Sequence, residues 1–327
     1  MMQRKTVMSR ADPWSDIDPD TPQGMLHARR ADASHPHDFF WGRDVQGHRL
    51  LIYQSTNLVT DLKLPNLRGV NIELKPDSLI LRLTQHSDLE IFATLCWSLI
   101  DRTRGAQPGS EVLVRIIEQL ERWQRFLGKG NDRLLSDDEI RGLFCELKFL
   151  ERELIPRFGT SAIAYWRGPA GDPQDFAVGH TLFEVKSHTA GSAPVLMISS
   201  AEQLWHEAGE LFLVAYTIGE SSAESSGAQS LSSLVSQLRS SFNTADTLDV
   251  FEDRLIEVGF MDHPEYERKF FTVSAPESYL VGGDFPRITK NAVMPGVCRV
   301  KYGIELAACL PFKALPDWSA LGATNGN

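Results

Sequence analysis

From residue 39 onward, short runs of alternating apolar and polar positions read as strands. HRLLIYQ (48–54), VNIELK (70–75) and SLILRLTQ (78–85) carry β-branched residues with period two, separated by turn signals such as Lys75-Pro76-Asp77. Helical spacing takes over in SDLEIFATLCWSLIDRTR (87–104), with Ser87 placed as its N-cap. The pattern predicts a small β-rich domain closed by a helix. Gly105 to Pro108 break it, and a second helix over Ser110 to Phe126 puts Val112, Ile116, Ile117 and Leu120 on one face. Gly128 to Asp132 read as a linker.

Ser136-Asp137-Asp138-Glu139 then forms a capping box, in which Ser136 accepts from the Glu139 N–H and the Glu139 side chain returns the contact. The helix it opens carries Ile140, Leu143, Phe144, Leu147, Leu150 and Leu154 on one stripe and ends near Pro156. After the turn-rich WRGPAGDP (166–173) comes a hairpin, QDFAVGHTLFEVKS (174–187), followed by a strand at PVLMIS (194–199). Ser199-Ser200-Ala201-Glu202 predicts another capped helix, and LFLVAYTI (211–218) a buried strand. This order predicts an α/β arrangement on a mixed sheet. The Ser-rich stretch 219–233 reads as a surface loop. Helical patterns follow at 231–242 and 247–258, then strand-like runs at KFFTVS (269–274) and VCRVKYGIELAAC (297–309). The chain shows no internal repeat.

Composition changes this picture little. The chain has 327 residues, 42% hydrophobic and 23% charged, ordinary for a globular protein with room for two or three domains. No apolar run is long enough to span a bilayer. The N-terminal residues lack an apolar segment after their basic ones, which argues against a secretory signal. Cys96, Cys145, Cys298 and Cys309 lie in apolar contexts without zinc-ligand spacing, so reduced core thiols in a cytoplasmic protein are expected. A net charge of −10 argues against coating nucleic acid by bulk electrostatics, but not against a local basic cleft or a bound cation.

The hairpin is the informative stretch. A two-residue turn at Gly179-His180, glycine first as type II′ prefers, pairs Val178 with Thr181, Ala177 with Leu182, Phe176 with Phe183 and Asp175 with Glu184. Phe176, Phe183 and Val185 then share a core face, while Asp175, Glu184 and Lys186 share the other. Two facing carboxylates cost stability unless a cation lies between them. Mg²⁺ takes such oxygen ligands, and a lysine beside them positions water or stabilises a phosphate. Glu146, at the margin of the preceding apolar stripe, reaches the rim of the sheet.

GLFCELKFLERE, WRGPAGDPQDF and FEVKS together resemble the core of the PD-(D/E)XK nuclease superfamily, the restriction-endonuclease-like fold. They also resemble a bacterial subfamily often encoded with restriction or phage-defence genes. The superfamily resemblance covers roughly 136–218, and the subfamily resemblance most of the chain. It implies a mixed α+β, restriction-endonuclease-like core and an endonuclease cutting DNA with Mg²⁺, Mn²⁺ being a possible substitute. Asp175, Glu184 and Glu146 then hold the metal, and Lys186 aligns or helps deprotonate water. Gln203 matches a glutamine that some relatives carry on the next helix, as a possible substrate contact; Glu207 occupies the place of their tyrosine. Gln174 stands where the motif has proline, and Asp172-Pro173 upstream leaves Asp172 as an alternative ligand. The implied organisation is a mobile lead-in at 1–37, a β-rich domain at 38–105, a nuclease-like core at 106–218 and an α/β region at 219–327. The alternative is a nuclease-fold subunit that binds DNA or partner proteins of a defence complex and cuts nothing.

Other features weigh less. His35 and His37 read as a surface loop rather than a metal pair, and Arg287 as a structural salt bridge. His188 follows the E-x-K strand without an evident partner. Arg115, Arg122, Arg125, Lys129 and Arg133 concentrate positive charge on one helix, an expected DNA-facing edge.

Overall fold

The computed structural model describes residues 12–17, 27–84, 89–128, 134–191, 193–289 and 292–323, with side chains as far as 321. The chain divides into two units, Met1–Arg133 with Met261–Pro264, and Leu134–Phe260 with Glu265–Asn327.

The first unit is an antiparallel sheet of β1 (His27–Arg30), β2 (Asp38–Arg43), β3 (Arg49–Gln54), β4 (Val70–Leu74) and β5 (Ser78–Leu83), in the order β1-β2-β3-β5-β4. Helices α1 (Leu89–Thr103) and α2 (Ser110–Gly128) pack together beside it. Ser87 lies outside the described residues. Trp14 is fully buried and donates its indole N–H to the Leu50 carbonyl at 2.8 Å.

Two expectations fail here for the same reason, burial. His35 and His37 are not in a surface loop. Their Nε2 atoms lie 2.9 Å from the Ile100 carbonyl and 3.0 Å from the Ala106 carbonyl, so they tie the strands to the end of α1. On α2, Arg122 is buried while Arg125 is exposed, and Arg115 is ion-paired to Glu111. The helix therefore does not gather its bases on one open edge. Lys129 and Arg133 lie outside the described residues.

In the second unit the capping box forms as expected and opens α3 (Asp137–Phe149). The helix then widens into a π turn over Leu150–Leu154 and ends in α4 (Ile155–Phe158). The strands β6 (Phe176–Val178), β7 (Thr181–His188) and β8 (Val195–Ile198) follow, then β9 (Glu210–Ser221) and β10 (Gln229–Ser230). Next come α5 (Leu231–Ser241), α6 (Ala245–Glu257) and α7 (Glu265–Arg268). The last elements are β11 (Phe270–Val273), β12 (Glu277–Leu280), β13 (Tyr302–Glu305), α8 (Leu306–Cys309) and α9 (Trp318–Ala323). The main sheet runs β10-β11-β9-β7-β6, β12 also pairs with β9, and β13 pairs with β8 in a separate ribbon.

β9 is the centre. It runs parallel to β7 from Thr181↔Glu210 to His188↔Thr217, and both its faces are covered. Phe212, Val214, Tyr216 and Ile218 join the core beneath α3, α5 and α6, while Leu211, Leu213 and Ala215 join a second core with Leu196, Ile198, Tyr279 and Ile304. A strand buried on both sides needs the unbroken apolar run that LFLVAYTI supplies. This mixed α+β architecture is that of a nuclease-like core.

The capped helix expected from Ser199 is only a 3₁₀ turn, Ala201–Leu204, with no side-chain cap from Ser200. Gln203 Oε1 instead accepts the Ser199 N–H at 2.8 Å, closing the turn early. The run 297–309 yields one short strand and then α8, because Leu306 to Cys309 turn back against the second core.

The hairpin turn depends on a glycine outside it. A Cβ at Gly209, whose φ is +83°, would lie 1.9 Å from the His180 carbonyl oxygen, so β9 can enter beside the turn only without a side chain. Gly209→Ala is expected to cost at least ~2 kcal/mol through strain and clash. Gly191→Ala, where a Cβ meets nothing within 4 Å, should stay within about 0.5 kcal/mol. Urea midpoints compare the two; equal midpoints would contradict this account of the turn.

Candidate active site

The turn chemistry of the hairpin is as the sequence predicts. Gly179 has φ +59° and His180 is not in the left-handed region, the signature of a glycine-first type II′ turn. The register Val178↔Thr181, Ala177↔Leu182, Phe176↔Phe183 follows. Phe176, Phe183 and Val185 face the main core, and Phe183 is stacked on Trp318 at 5.4 Å. By alternation Glu184 and Lys186 share the opposite face with Leu182, which packs on the second core.

The ladder stops one residue short of the expected Asp175–Glu184 pair. The Asp175 carbonyl turns away and accepts the Arg167 and Gly168 N–H groups at 2.7 and 3.0 Å. Its side chain takes over the contact to β7, where Oδ2 accepts the Val185 N–H at 2.8 Å, between Glu184 and Lys186. The carboxylates still neighbour each other, but Asp175 is fixed by its side chain rather than by strand pairing.

Three residues make this arrangement, of which sequence reasoning passed over Gly168 and Trp166 and noted Gln174 only as a departure from the motif. Gly168 is one, because a Cβ there would sit 3.0 Å from Asp175 Oδ1 and 3.2 Å from its Cα. Trp166, fully buried, donates its indole N–H to Glu146 Oε2 at 2.8 Å and so holds the helix carboxylate. Gln174, buried in the place of the motif's proline, donates Nε2–H to the Glu202 and Trp205 carbonyls at 2.8 and 3.1 Å. It ties the residue before Asp175 to the end of the 3₁₀ turn that carries Gln203. The WRG of WRGPAGDPQDF was the available signal, but its meaning lies in contacts between distant residues.

Asp172 is excluded from this cluster by its ion pair with Arg167 at 2.9 Å on the surface. His188 has a partner after all, Thr217 Oγ1 at 3.3 Å from Nε2. Arg287 makes no salt bridge and donates instead to the Leu204 carbonyl at 2.7 Å.

Glu184 is the extreme group, with no exposed surface. Lys186 Nζ lies 2.6 Å from its Oε1, and Oε2 has no hydrogen-bond partner among the described residues. Burial drives its pKa well above the usual carboxylate range, the Asp175 charge adds to that, and Lys186 opposes it. Burial also raises Asp175, against Lys186 and the Val185 N–H, and pushes Glu146 up to about 8. Burial works against the Lys186 ammonium, yet the charges of Glu184 and Asp175 prevail and hold it protonated.

Such a cluster is poor material for stability. Desolvating a buried ion pair costs about several kcal/mol per ion, and the mutual attraction seldom exceeds that. Perturbed, unsatisfied charges in an apolar setting mark a functional place. Hard, deprotonable oxygens with open valences fit a divalent cation. Among the described residues no three His, Cys, Asp or Glu side chains close on one cation position. The donor set is therefore the Asp175–Glu184 pair, with Glu146 held towards the Trp166 indole.

A mixed sheet bearing E-x-K on one strand, with an Asp just ahead of the neighbouring strand and an acid on the helix before them, belongs to the nuclease-like PD-(D/E)XK class. The chain is a member of the family described as "Putative PD-(D/E)XK family member, (DUF4420)", which matches residues 10–307 and so spans both units. No curated protein and no solved structure matches it. Among the described residues, no helix is long and apolar enough to cross a membrane.

The raised carboxyls fix a pH dependence. Folded Glu146 titrates at about 8 against an ordinary value of 4.5, so between these the folded state holds the extra proton. Stability of the metal-free protein then falls as pH rises from about 4.5 to about 8. Thermal unfolding in a chelator should show Tm declining across this window, with a shallower decline in Glu146→Gln. Identical slopes would remove Glu146 from the cluster.

Proposed function

We propose that this chain is a metal-dependent endonuclease that hydrolyses phosphodiester bonds of DNA in a bacterial restriction or phage-defence system. The observation that carries this reading is the buried Glu184 carboxylate, one oxygen against Lys186 and the other unpartnered, beside Asp175. The defence role rests on the subfamily resemblance of the three quoted stretches.

Asp175 Oδ1, left open by the missing side chain at Gly168, and Glu184 are the residues that would hold Mg²⁺ or Mn²⁺. Bound there, such a cation supplies Lewis-acid polarisation of the phosphate and lowers the pKa of a coordinated water. Glu146, kept in place by Trp166, adds a further carboxylate at the rim. Lys186 holds its proton, so it orients the attacking water and stabilises charge on the phosphate rather than accepting a proton. Gln203, on the turn anchored by Gln174, is the proposed side-chain contact to substrate.

The alternative, a subunit that binds but does not cut, draws on one observation. Lys186 already sits against Glu184, and a lysine in that place neutralises the carboxylate without any metal. Two variants separate the readings. In the nuclease reading Mg²⁺ or Mn²⁺ stabilises the fold, by about 2.7 kcal/mol at a hundredfold excess over Kd, and so raises Tm. Asp175→Asn abolishes that rise, while Lys186→Ala keeps it and lowers cleavage by orders of magnitude. A metal response equal in wild type and Asp175→Asn would sink the metal site. Undiminished cleavage by Lys186→Ala would place the chemistry elsewhere.

A further inference from the structure

In the second unit, the described basic side chains are almost all committed to carboxylates. Arg141, Lys148, Arg152, Arg157 and Arg167 are ion-paired, as are Lys186, Arg239, Arg254, Arg268, Lys269 and Lys313. Arg287, Arg299 and Lys301 are the exceptions, and all three fall in the one segment joining β12 to β13. Residues 285–304 contain no Asp or Glu and four bases; the fourth, Lys290, lies outside the described residues. In a chain with 43 acids against 33 bases, such a stretch is a departure from the average. Exposed ion pairs contribute little to stability, so the missing partners reflect no folding requirement. What they leave is uncompensated positive potential on one exposed segment.

The segment is joined to the active site at both ends. Arg287 Nη1 donates to the Leu204 carbonyl at the end of the 3₁₀ turn, the same turn that Gln174 anchors beside Asp175. At the other end Tyr302 pairs with Ile198 of β8, the strand next to β7. Arg299 and Lys301 themselves are exposed.

We infer that the part of this segment from residue 292 to residue 304 is the docking surface for the DNA backbone beside the active site, with Arg299 and Lys301 as phosphate contacts. The inference rests on the nuclease reading for its choice of DNA as the anion. It replaces α2 as the source of positive charge. Arg287, half-buried and bonded to the main chain, holds the segment in position.

The test uses the full chain and a labelled DNA duplex of about twenty base pairs, in chelator so that nothing is cut. Anisotropy gives the affinity from about 50 to about 200 mM salt. Arg299→Ala/Lys301→Ala should weaken binding about tenfold or more. It should also make the slope of log K against log salt shallower by about 1.8, for two lost phosphate contacts. Saturating DNA should restore the cleavage rate, so the loss falls on KM and not on kcat. Cys298, the one exposed cysteine, sits one residue from Arg299 and gives a second readout. In the wild type the duplex should protect it from alkylation. Unchanged affinity and slope in the double variant, or Cys298 alkylated equally with and without duplex, overturns the inference. So does an acidic protein, rather than DNA, as the only partner weakened by the substitutions. If the binding loss and protection appear but no duplex is ever cut, the nuclease reading fails and the docking surface stands.

Discussion

A carboxylate with no exposed surface and a single polar partner is the constraint around which the second unit is arranged. Leaving Glu184 charged at that depth is unfavourable, and a single ammonium 2.6 Å from one oxygen meets the demand of only one of its two oxygens. The position lies on β7, the strand most firmly placed in the unit, with β9 parallel along its length and α3 packed over it. A flexible edge would let the charge turn out to water. Rigid neighbours on both sides keep it inside. The fold thus holds a group that, left to itself, would leave.

The supporting residues each remove one way for the cluster to relax. Asp175 is pinned by the Val185 N–H on one side and by the Arg167 and Gly168 N–H groups on its carbonyl. Gly168 keeps the remaining oxygen uncrowded, and Trp166 fixes Glu146. Gln174 spends its amide on the 3₁₀ turn, so the chain before Asp175 and the turn carrying Gln203 move as one piece. Where the motif's proline would fix only its own φ, a buried glutamine cross-links two segments. The departure from the motif has a structural use.

What was legible in the sequence was whatever short-range physics decides. The type II′ turn, the hairpin register as far as Phe176↔Phe183, the capping box of α3 and the apolar run of β9 depend on neighbouring residues or on simple alternation. The charges at 175, 184 and 186 followed from that register. Glu146 followed from its place beside the stripe. The rest was hidden because its cause is tertiary. Nothing local says that the Trp166 indole meets Glu146, or that His35 and His37 bond carbonyls of the 100–106 stretch. The 199–204 segment has a helix's opening residues, but its turn is closed by Gln203 and held by Gln174 from outside. Arg122 shows the limit of reading charge as exposure, since a long side chain on an amphipathic helix can be drawn into the core.

The same limit applies to net charge. A total of −10 is a sum over both units and predicts weak attraction to any polyanion at long range. At about 8–10 Å, the screening length near physiological salt, only local imbalance matters. Over the second unit acids outnumber bases, and most of its described bases sit against carboxylates. Two places stand apart, in opposite senses. The active-site cluster sets three acids against one lysine, a deficit a divalent cation would fill. The 285–304 segment leaves three described bases without acids. A phosphodiester beside a divalent cation is the kind of ligand that meets both at once, since its backbone supplies anions to the segment while the cation bridges it to the carboxylates. In the proposed docking mode the two imbalances are complementary halves of one recognition problem, with Arg287 tying the segment to the turn at Leu204.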